Sequence, residues 1–346
     1  MMAESKENVS TVNTTEESEY WDEEIIERYR TVIIVQVAYL SFLCVFGTTL
    51  NMIVIFRALR YRNSLLTSGT YRKISIDSTN MFVISLAIAN LGTSTFSIGL
   101  IILPLYFKNI PVTNFACRFI WPIRELFYAV SCFSLTLIAV SRYFILFKTF
   151  QNRKIFRYPI LNNIVLWLFC YFVFAFPYSR GYKPEQVNDI LICDTTNWST
   201  LQEERGYITF VVVAHVVIPT MFVGISYIGI ITRLKHASNM IAPLSTIKMA
   251  HPNEDMLSTV VKSHRAVKIS LLLLLSYMIT FIPIACLLLF LQYKEITEDM
   301  FPEIEYIYVI CTCLVNSGVV MDPVILMLSN RGYRPNLRAL KNCFQT

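Results

Sequence analysis

Charged side chains are scarce in this sequence. Only 16% of its 346 residues are Asp, Glu, Lys or Arg, whereas 55% are hydrophobic, and the mean hydropathy is +0.51. Soluble globular domains carry about 25% charged residues. The composition therefore excludes an ordinary soluble domain and predicts a membrane protein.

Other features are missing as well. No internal repeat is evident, which argues against transporter folds built from two inverted halves. Residues 1–30 lack the apolar segment of a signal peptide, so we expect the first long apolar run to direct membrane insertion. No catalytic acid pair, Ser/His pair or metal-binding cluster stands at membrane depth. We therefore expect neither an enzyme nor a metal site.

Seven long apolar runs are present. A helix needs about 20 mainly apolar residues to cross a bilayer. The runs lie near residues 31–56, 80–106, 119–147, 158–178, 207–234, 266–292 and 304–328. They predict an all-α membrane protein with a bundle of seven transmembrane helices over residues 31–330, numbered helix 1 to helix 7. The amphipathic segment Gly332 to Phe344 predicts a short cytoplasmic surface helix within residues 331–346.

Basic residues cluster on one side of the predicted membrane. With the N-terminus outside, the four inner segments hold 20 of the 30 Lys and Arg residues. This bias predicts a multi-pass membrane protein whose N-terminus lies on the outer side. The net charge of +6 is then a sign of topology and membrane contact rather than of nucleic-acid binding. Residues 1–30, which are acidic and rich in Ser and Thr, predict a disordered extracellular tail.

Modification sites follow from this orientation. Three N-x-[ST] sequons lie on the predicted outer side and predict glycosylation of Asn8, Asn13 and Asn197. Cys117, at the outer end of helix 3, and Cys193, in the loop before helix 5, both face an oxidising compartment and can form a disulfide. Cys343, near basic residues of the inner surface, is a candidate for palmitoylation.

Each predicted helix carries a recognisable landmark. Taken alone, a proline in such a helix is explained as a kink, and Arg142 as a base that reaches towards the interface. Taken in order, the set resembles the rhodopsin-like G-protein-coupled receptors over about residues 31–344. The landmarks are Asn51, Leu86-Ala87-Ile88-Ala89-Asn90, Cys117, Ser141-Arg142-Tyr143, Trp167 with Pro177, Pro219 with Tyr227, Phe281-Ile282-Pro283, and Asp322-Pro323-x2-Leu326.

The resemblance implies a plasma-membrane receptor, with its N-terminus extracellular, that transmits an extracellular ligand signal to a heterotrimeric G protein through movement of helix 6. Arg142 would enter the opened cleft and bind the G protein. Tyr227 would hold Arg142 in the active state, and Pro283 would be the hinge of helix 6. The remaining members of the switch would be Ser141, Tyr143, Asp322, Pro323 and Leu326.

Three of the departures from the family pattern bear directly on the strength of signalling. Ser141 replaces the usual acid before the arginine, which removes about 1.5 to 3 kcal/mol of charge-assisted bonding from the inactive state and predicts raised basal signalling. Leu326 replaces a tyrosine that supports the active state, so the net direction stays open. Phe281 replaces a tryptophan and lacks the indole N–H. A non-coupling protein that acts as a trafficking or dimerisation partner therefore remains an alternative.

The ligand side of the resemblance centres on Arg124, which stands where amine receptors keep an aspartate. Its guanidinium disfavours a cationic amine and favours an anionic group. For two residues another explanation stays open. Arg124 can instead form an internal ion pair with Glu125, and His215 can be purely a packing residue. The outer segments are net acidic and favour a basic peptide, so both an anionic small molecule and a peptide remain candidates. The implied ligand-site residues are Arg124, Tyr128, His215, Phe281, Thr312 and Asn316.

Asn316 also occupies the place of the retinal-binding lysine of opsins, and helix 7 contains no lysine, so we expect no retinal cofactor. Asn90 and Asp322 have exchanged the residue types usual for the family. They should face each other in a polar core with Ser131 and Asn51, and the displaced charge predicts weak sodium binding or none. A transporter or channel with Asp322 and Arg124 along its path is the alternative from another class.

Overall fold

A computed structural model describes residues 15–66, 72–106, 113–146, 158–187, 190–194, 197–241, 254–294 and 301–329. Within these ranges, seven helices are long and apolar enough to cross a membrane, which confirms the predicted seven-helix bundle. The predicted surface helix after helix 7 lies outside the described residues, together with Cys343 and the sequons at Asn8 and Asn13.

The seven helices have these bounds. Helix 1 is Thr15–Leu66, and helix 2 joins Arg72–Gly92, a π-helical turn Thr93–Ser97 and Ile98–Tyr106. Helix 3 joins the π-helical turn Ala116–Ile120 to Ile123–Leu146, and helix 4 joins Pro159–Cys170, the π-helical turn Tyr171–Ala175 and Phe176–Tyr178. Helix 5 joins Leu201–Val212, the π-helical turn Val213–Val217 and Ile218–Ile241. Helix 6 is Glu254–Tyr293 and helix 7 is Phe301–Ser329.

Helix 1 begins well before the apolar run that predicts it. The tail expected to be disordered through residue 30 is helical from Thr15 onward. The segment from Thr15 to Phe46 contains no glycine or proline and several glutamates, which are good helix formers. Its acidic composition indicated disorder, but local helix propensity and the continuous apolar run behind it favour a single long helix.

Three of the four π-helical turns in the described residues end two residues before a proline. The prolines concerned are Pro122, Pro177 and Pro219. A proline ring clashes with the carbonyl four residues earlier, and a widened turn moves that carbonyl aside. Proline therefore marks bulges in helices 3, 4 and 5, whereas Pro283 and Pro323 lie inside continuous helices.

The loop between helices 4 and 5 contains two short strands that the sequence reading did not assign. Strand β1, Lys183–Val187, pairs antiparallel with strand β2, Ile190–Asp194, so that Pro184 lies opposite Cys193. The predicted disulfide between Cys117 and Cys193 is present and ties this hairpin to the first turn of helix 3. We call the end of the bundle that carries this bond the disulfide end.

Helix 3 lies at the centre of the bundle, in contact with helices 2, 4, 5 and 6. At the end opposite the disulfide, helices 1, 2, 3, 6 and 7 share a buried apolar cluster that includes Phe82, Leu135, Leu273 and Leu326. The outward faces of the helices carry exposed large apolar side chains such as Phe56, which is 62% exposed. An apolar rim around a packed centre suits a bundle that is surrounded by lipid.

Candidate functional site

Arg124 and Glu125 form an ion pair near the disulfide end of helix 3. The Arg124 Nε atom lies 3.7 Å from Glu125 Oε1, so the internal pairing left open by the sequence is present. The same Nε atom is buried and has no hydrogen-bond partner among the described residues. The ion pair places a partly compensated positive charge at the predicted ligand site. The Arg124 Nε–H remains a hydrogen-bond donor that no described residue uses.

Tyr128, one helical turn further along helix 3, connects this site to helix 7. Its hydroxyl donates to Asn316 Oδ1 at 3.0 Å, and Asn316 Nδ2 donates to the Thr312 carbonyl at 2.8 Å. Asn316 is fully buried and Thr312 is 8% exposed. The structure therefore brings together three of the predicted ligand-site residues: Tyr128 and Asn316 through their side chains, and Thr312 through its carbonyl.

Further tyrosines surround Arg124. Tyr182, Tyr128 and Tyr308 lie close enough to interact electrostatically with the guanidinium. Tyr182 packs edge-on against Tyr178 with ring centroids 5.0 Å apart. Burial raises the pKa of Tyr182 above its ordinary value, against the opposing effect of Arg124, so its hydroxyl stays protonated at neutral pH. This part of the site offers neutral hydroxyl groups around one cation.

His215 lies in the π-helical turn of helix 5 and is surrounded by aromatic rings. Its ring centroid is 4.8 Å from that of Phe174 and 5.4 Å from that of Phe281, against which it stacks. His215 Nδ1 hydrogen-bonds to the Val211 carbonyl at 2.8 Å, whereas the buried Nε2 atom has no partner among the residues described. Because a carbonyl only accepts, Nδ1 carries the proton and Nε2 is left as an acceptor.

Phe281, the residue at the predicted rotamer-switch position, links His215 to the interior of helix 6. It stacks on Tyr277 with ring centroids 5.2 Å apart. The Tyr277 hydroxyl is buried beside the Cys132 thiol of helix 3. A continuous aromatic stack therefore runs from helix 5 to helix 6, with the unpaired His215 Nε2 at one end.

The predicted polar core is assembled around Asp322. Asn90 Nδ2 donates to Asp322 Oδ2 at 3.0 Å, and Ser131 Oγ donates to Asn90 Oδ1 at 3.1 Å. Helices 2, 3 and 7 are thus joined through three side chains. All three are at least nine-tenths buried. The exchanged acid and amide lie in direct contact.

Asn51 performs a different task from the rest of the predicted polar core. Its Nδ2 atom donates to the Gly47 and Val319 carbonyls, both at 2.8 Å, and so binds helix 1 to the backbone of helix 7. No hydrogen bond joins it to Asp322 in the described part of the chain. Asn51 is therefore a helix-packing residue beside the polar core rather than a member of its hydrogen-bond chain.

At the opposite end, Ser141 occupies the place of the missing acid and is fully buried. Its hydroxyl lies 2.8 Å from Thr79 Oγ1 on helix 2 and donates to the Ile138 carbonyl. The Arg142 backbone is helical, but its side chain lies outside the described residues. Leu326 packs in the apolar cluster, where it is 4% exposed.

The other predicted switch residues surround this end. Tyr143 packs its ring against Gly229 of helix 5 so closely that an added Cβ would lie 2.4 Å from a ring carbon. Tyr227 is half-buried on helix 5, as is Pro283 on helix 6, and Pro323 is buried directly after Asp322. Helices 3 and 5 are therefore in contact at the end of the bundle where the predicted coupling residues lie.

Sequence reasoning missed several contacts between helices. Tyr39 Oη lies 2.9 Å from Ser317 Oγ, and Trp167 Nε1 donates to Ser85 Oγ at 2.9 Å. The first pair is separated by 278 residues along the chain. Isolated serines and tyrosines in apolar runs carry no signal for such pairs, although a polar side chain in lipid must find a partner.

A single-chain bundle of seven such helices, with a disulfide from helix 3 to the following hairpin, defines a seven-helix membrane receptor. A family model described as 7 transmembrane receptor (rhodopsin family) matches residues 63–326. The chain is also 23% identical over 333 residues to the QRFP-like peptide receptor of Branchiostoma floridae, covering 92% of this chain and 84% of that protein.

This chain therefore belongs to the rhodopsin family of seven-transmembrane receptors. It is a multi-pass membrane protein and a receptor rather than an enzyme, in agreement with the sequence prediction.

Proposed function

We propose that this protein is a plasma-membrane receptor, with its N-terminus outside, that binds a peptide at the disulfide end and signals to a heterotrimeric G protein through movement of helix 6. Membership of the rhodopsin family is the observation that carries the proposal. The peptide class rests on the similarity to a peptide receptor. Lys and Arg enrichment in the loops opposite the disulfide end supports the orientation.

The geometry of Arg124 also favours a peptide over a small anion. Because Glu125 already offsets the charge of Arg124, the site is less selective for a free anion than an isolated guanidinium would be. The surrounding tyrosine hydroxyls suit the amides and polar side chains of a peptide. The unpaired Arg124 Nε–H would then donate to a peptide carbonyl or to a carboxylate.

Two contact routes could carry the signal from this site. Along helix 7, Asn316 contacts Tyr128, Val319 accepts from Asn51, and Asp322 contacts Asn90. A displacement of helix 7 would therefore be felt by helices 3, 1 and 2. Across the bundle, the stack of His215, Phe281 and Tyr277 joins helix 5 to helix 6. A ligand would shift the receptor only by favouring one arrangement of these contacts over the other.

The coupling end provides the surface for the G protein. By the family resemblance Arg142 would enter the cleft opened by helix 6, with Tyr143 and Tyr227 at its side. Ser141 bonds to Thr79 and supplies no charge to Arg142, so the inactive state lacks one expected restraint. Leu326 removes a stabilising contact from the active state. Because the two replacements act in opposite directions, ligand-free signalling is measured together with the ligand response.

The test is a reporter assay in cells that co-express the receptor with chimeric G proteins, screened against a peptide library of graded charge. We expect at least one chimera to respond to a peptide. Tyr128→Phe, which deletes only the hydroxyl that donates to Asn316, should shift the peptide potency by about tenfold. Arg142→Ala should abolish the response while surface expression and peptide binding persist.

Three outcomes separate this proposal from its alternatives. Peptide binding without a response from any chimera would favour a non-coupling trafficking or dimerisation partner. Solute or ion flux that survives Arg142→Ala would favour a transporter or channel. Response only to small anions, lost in Arg124→Gln, would replace the peptide with an anionic ligand and leave the coupling proposal intact.

A further inference from the structure

A cleft opens on the outside of the bundle at the disulfide end, between the first turn of helix 3, the end of helix 4 and the start of helix 5. Its volume is about 220 Å³. It lies apart from the cluster around Arg124, since none of its lining residues belongs to that cluster. The cleft is lined by Arg118, Arg180, Asn197, Trp198, Ser199 and Glu203.

The loop wall of this cleft is firmly held. Asn197 donates its backbone N–H to the Gly181 carbonyl at 2.9 Å and its Nδ2 to the Arg180 carbonyl at 3.0 Å. The Trp198 ring lies against Gly181, where an added Cβ would come within 2.5 Å of it. Thr200 caps helix 5 by accepting the Glu203 backbone N–H at 3.1 Å. These contacts hold the loop wall of the cleft in place.

Hydrogen-bond donors in the cleft are left unused. Arg118 and Arg180 are both exposed and form no ion pair with any described residue. The Trp198 indole N–H is buried against Gly181 and does not reach the cleft, so the two guanidinium groups are its available donors. Two guanidinium groups that line one cavity favour an anionic oxygen ligand.

Both arginines stand at the edge of an exposed aromatic surface. Arg118 is flanked by Phe115 and Phe119, which are 66% and 51% exposed. Arg180 follows Phe176 by four residues, and Phe176 is 49% exposed on the outward face of helix 4. Exposed rings followed by basic side chains are the arrangement found where a membrane protein crosses from hydrocarbon to headgroups. The cleft therefore opens at headgroup level.

We propose that this cleft binds the headgroup of a zwitterionic phospholipid from the leaflet at the disulfide end. Arg118 and Arg180 donate to the phosphate oxygens. Glu203, the one carboxylate that lines the cleft, contacts the cationic amine of the headgroup. The acyl chains lie along the exposed phenylalanines of helices 3 and 4. The pairing of two bases with one acid fits such a headgroup better than a simple anion.

Binding is measured by native mass spectrometry and thermal shift on the purified full-length receptor, expressed in a host that adds no N-glycans so that Asn197 stays an uncharged, unmodified lining residue of the cleft. The probes are dioctanoylphosphatidylcholine, dioctanoylphosphatidylglycerol, dioctanoylglycerol and inorganic phosphate. We expect phosphatidylcholine to bind most tightly and dioctanoylglycerol, which lacks a phosphate, most weakly. Arg118→Gln and Arg180→Gln should weaken both phospholipids about tenfold, since each loses a charged hydrogen bond. Glu203→Gln should weaken phosphatidylcholine alone.

Lys294→Gln is the matched control, because Lys294 is another exposed base at the same end of the bundle and lies outside the cleft. It should bind every probe as the unaltered receptor does. Arg118→Lys keeps the charge and guards against a folding defect; it should retain part of the affinity. Equal binding of dioctanoylglycerol and phosphatidylcholine would overturn the proposal. Tight binding of inorganic phosphate, or displacement of lipid by an acidic peptide, would replace the lipid with a soluble anion.

Discussion

Asp322 is a buried carboxylate whose described hydrogen-bond partner is an amide rather than a base. Asn90 donates one bond to it, and Ser131 holds Asn90 from the other side. A buried acid is tolerated only when its oxygens are hydrogen-bonded. The Ser131 hydroxyl can donate equally well to an amide oxygen or to a carboxylate oxygen on helix 2.

These contacts predict an order of stability for the variants in which the acid and the amide are replaced singly or exchanged. Asn90→Asp should be the least stable, because two carboxylates would face each other across 3.0 Å. Asp322→Asn should be milder, about 1 to 3 kcal/mol, since an amide oxygen still accepts from Asn90. The double variant should recover, because the amide on helix 7 then donates to the carboxylate on helix 2. Thermal unfolding of the solubilised receptor and surface expression provide the measurements.

Thr49→Val is the control for these variants, as Thr49 bonds only to the Val45 carbonyl of its own helix. A double variant no better than Asn90→Asp would show that the two sites are not partners. Replacing sodium by choline in the same assay tests the expectation that sodium has little effect on this receptor.

His215 tests whether an unpaired atom serves the ligand or only the packing. His215→Phe keeps the aromatic contacts with Phe174 and Phe281, and it removes both the unpaired Nε2 and the Nδ1 bond to the Val211 carbonyl. Because these two losses act in opposite directions, we expect stability to change by less than about 1 kcal/mol. His215→Ala should cost about 3 kcal/mol through the cavity that it leaves. Thermal unfolding distinguishes the two variants, and Phe174→Leu is the packing control.

Peptide potency then assigns the role. If His215→Phe is stable but loses potency, Nε2 accepts a hydrogen bond in the signalling receptor. Unchanged potency and stability would leave His215 a packing residue, and a large loss of stability would contradict the structural reading of its environment.

Single residues differ in how far sequence could place them. The facing of Asn90 and Asp322 follows from the family resemblance, because the landmarks have a fixed spacing along the chain. The pairing of Arg124 with Glu125 was one of two open alternatives, since adjacent residues on a helix need not point together. The contact of Tyr39 with Ser317 could not be foreseen, because it depends on which faces of helices 1 and 7 meet.

Among the structural elements, helices 3 and 5 approach closely at Gly229, where the Tyr143 ring occupies the space of a side chain. Gly229→Ala should therefore force a shift of Tyr143 and cost about 1 to 3 kcal/mol. Gly224 lies on the same helix with nothing within 4 Å of its added Cβ. Gly224→Ala should be neutral or stabilising by about 0.5 to 1 kcal/mol, because alanine is the better helix former.

Thermal unfolding compares the two alanine variants, and the reporter assay shows whether the Tyr143 shift also alters coupling. Tyr143→Leu in the Gly229→Ala background should restore stability by making room for the methyl group. If Gly229→Ala and Gly224→Ala behave alike, the close approach of helices 3 and 5 does not contribute to stability.

Length and hydropathy suffice to find the seven helices, because a bilayer demands about 20 apolar residues for each crossing. They do not reveal the π-helical turns, which depend on how the chain relieves the clash before Pro122, Pro177 and Pro219. The β1–β2 hairpin was missed for a related reason. Its strands are only five residues long, and the disulfide to helix 3 helps to hold them in place.

For the whole molecule, the disulfide is the one covalent cross-link among the described residues, and it ties the loop between helices 4 and 5 to helix 3. Cys117→Ser combined with Cys193→Ser should release the hairpin and lower stability by about 2 to 4 kcal/mol. We expect a strong loss of peptide binding, because Tyr182, which lies beside Arg124, directly precedes the hairpin.

Surface expression, thermal unfolding and labelled-peptide binding are compared with those of Cys286→Ser, which alters an exposed free cysteine on helix 6. The control should match the unaltered receptor. Normal peptide binding by the double serine variant would show that the loop needs no covalent anchor.

The contacts of helix 7 have a consequence for biogenesis. Asn51 and Asn90, on the first two helices, find their partners on helix 7, 268 and 232 residues later in the chain. Asn51 can bond to Gly47 of its own helix and Asn90 can accept from Ser131 of helix 3, but lipid offers no substitute for the partners on helix 7. Each amide therefore lacks one hydrogen bond until the seventh helix has left the ribosome and inserted. Assembly is therefore completed only at the end of synthesis. A product that stops before Val319 would expose polar groups in the bilayer and become a target for quality control.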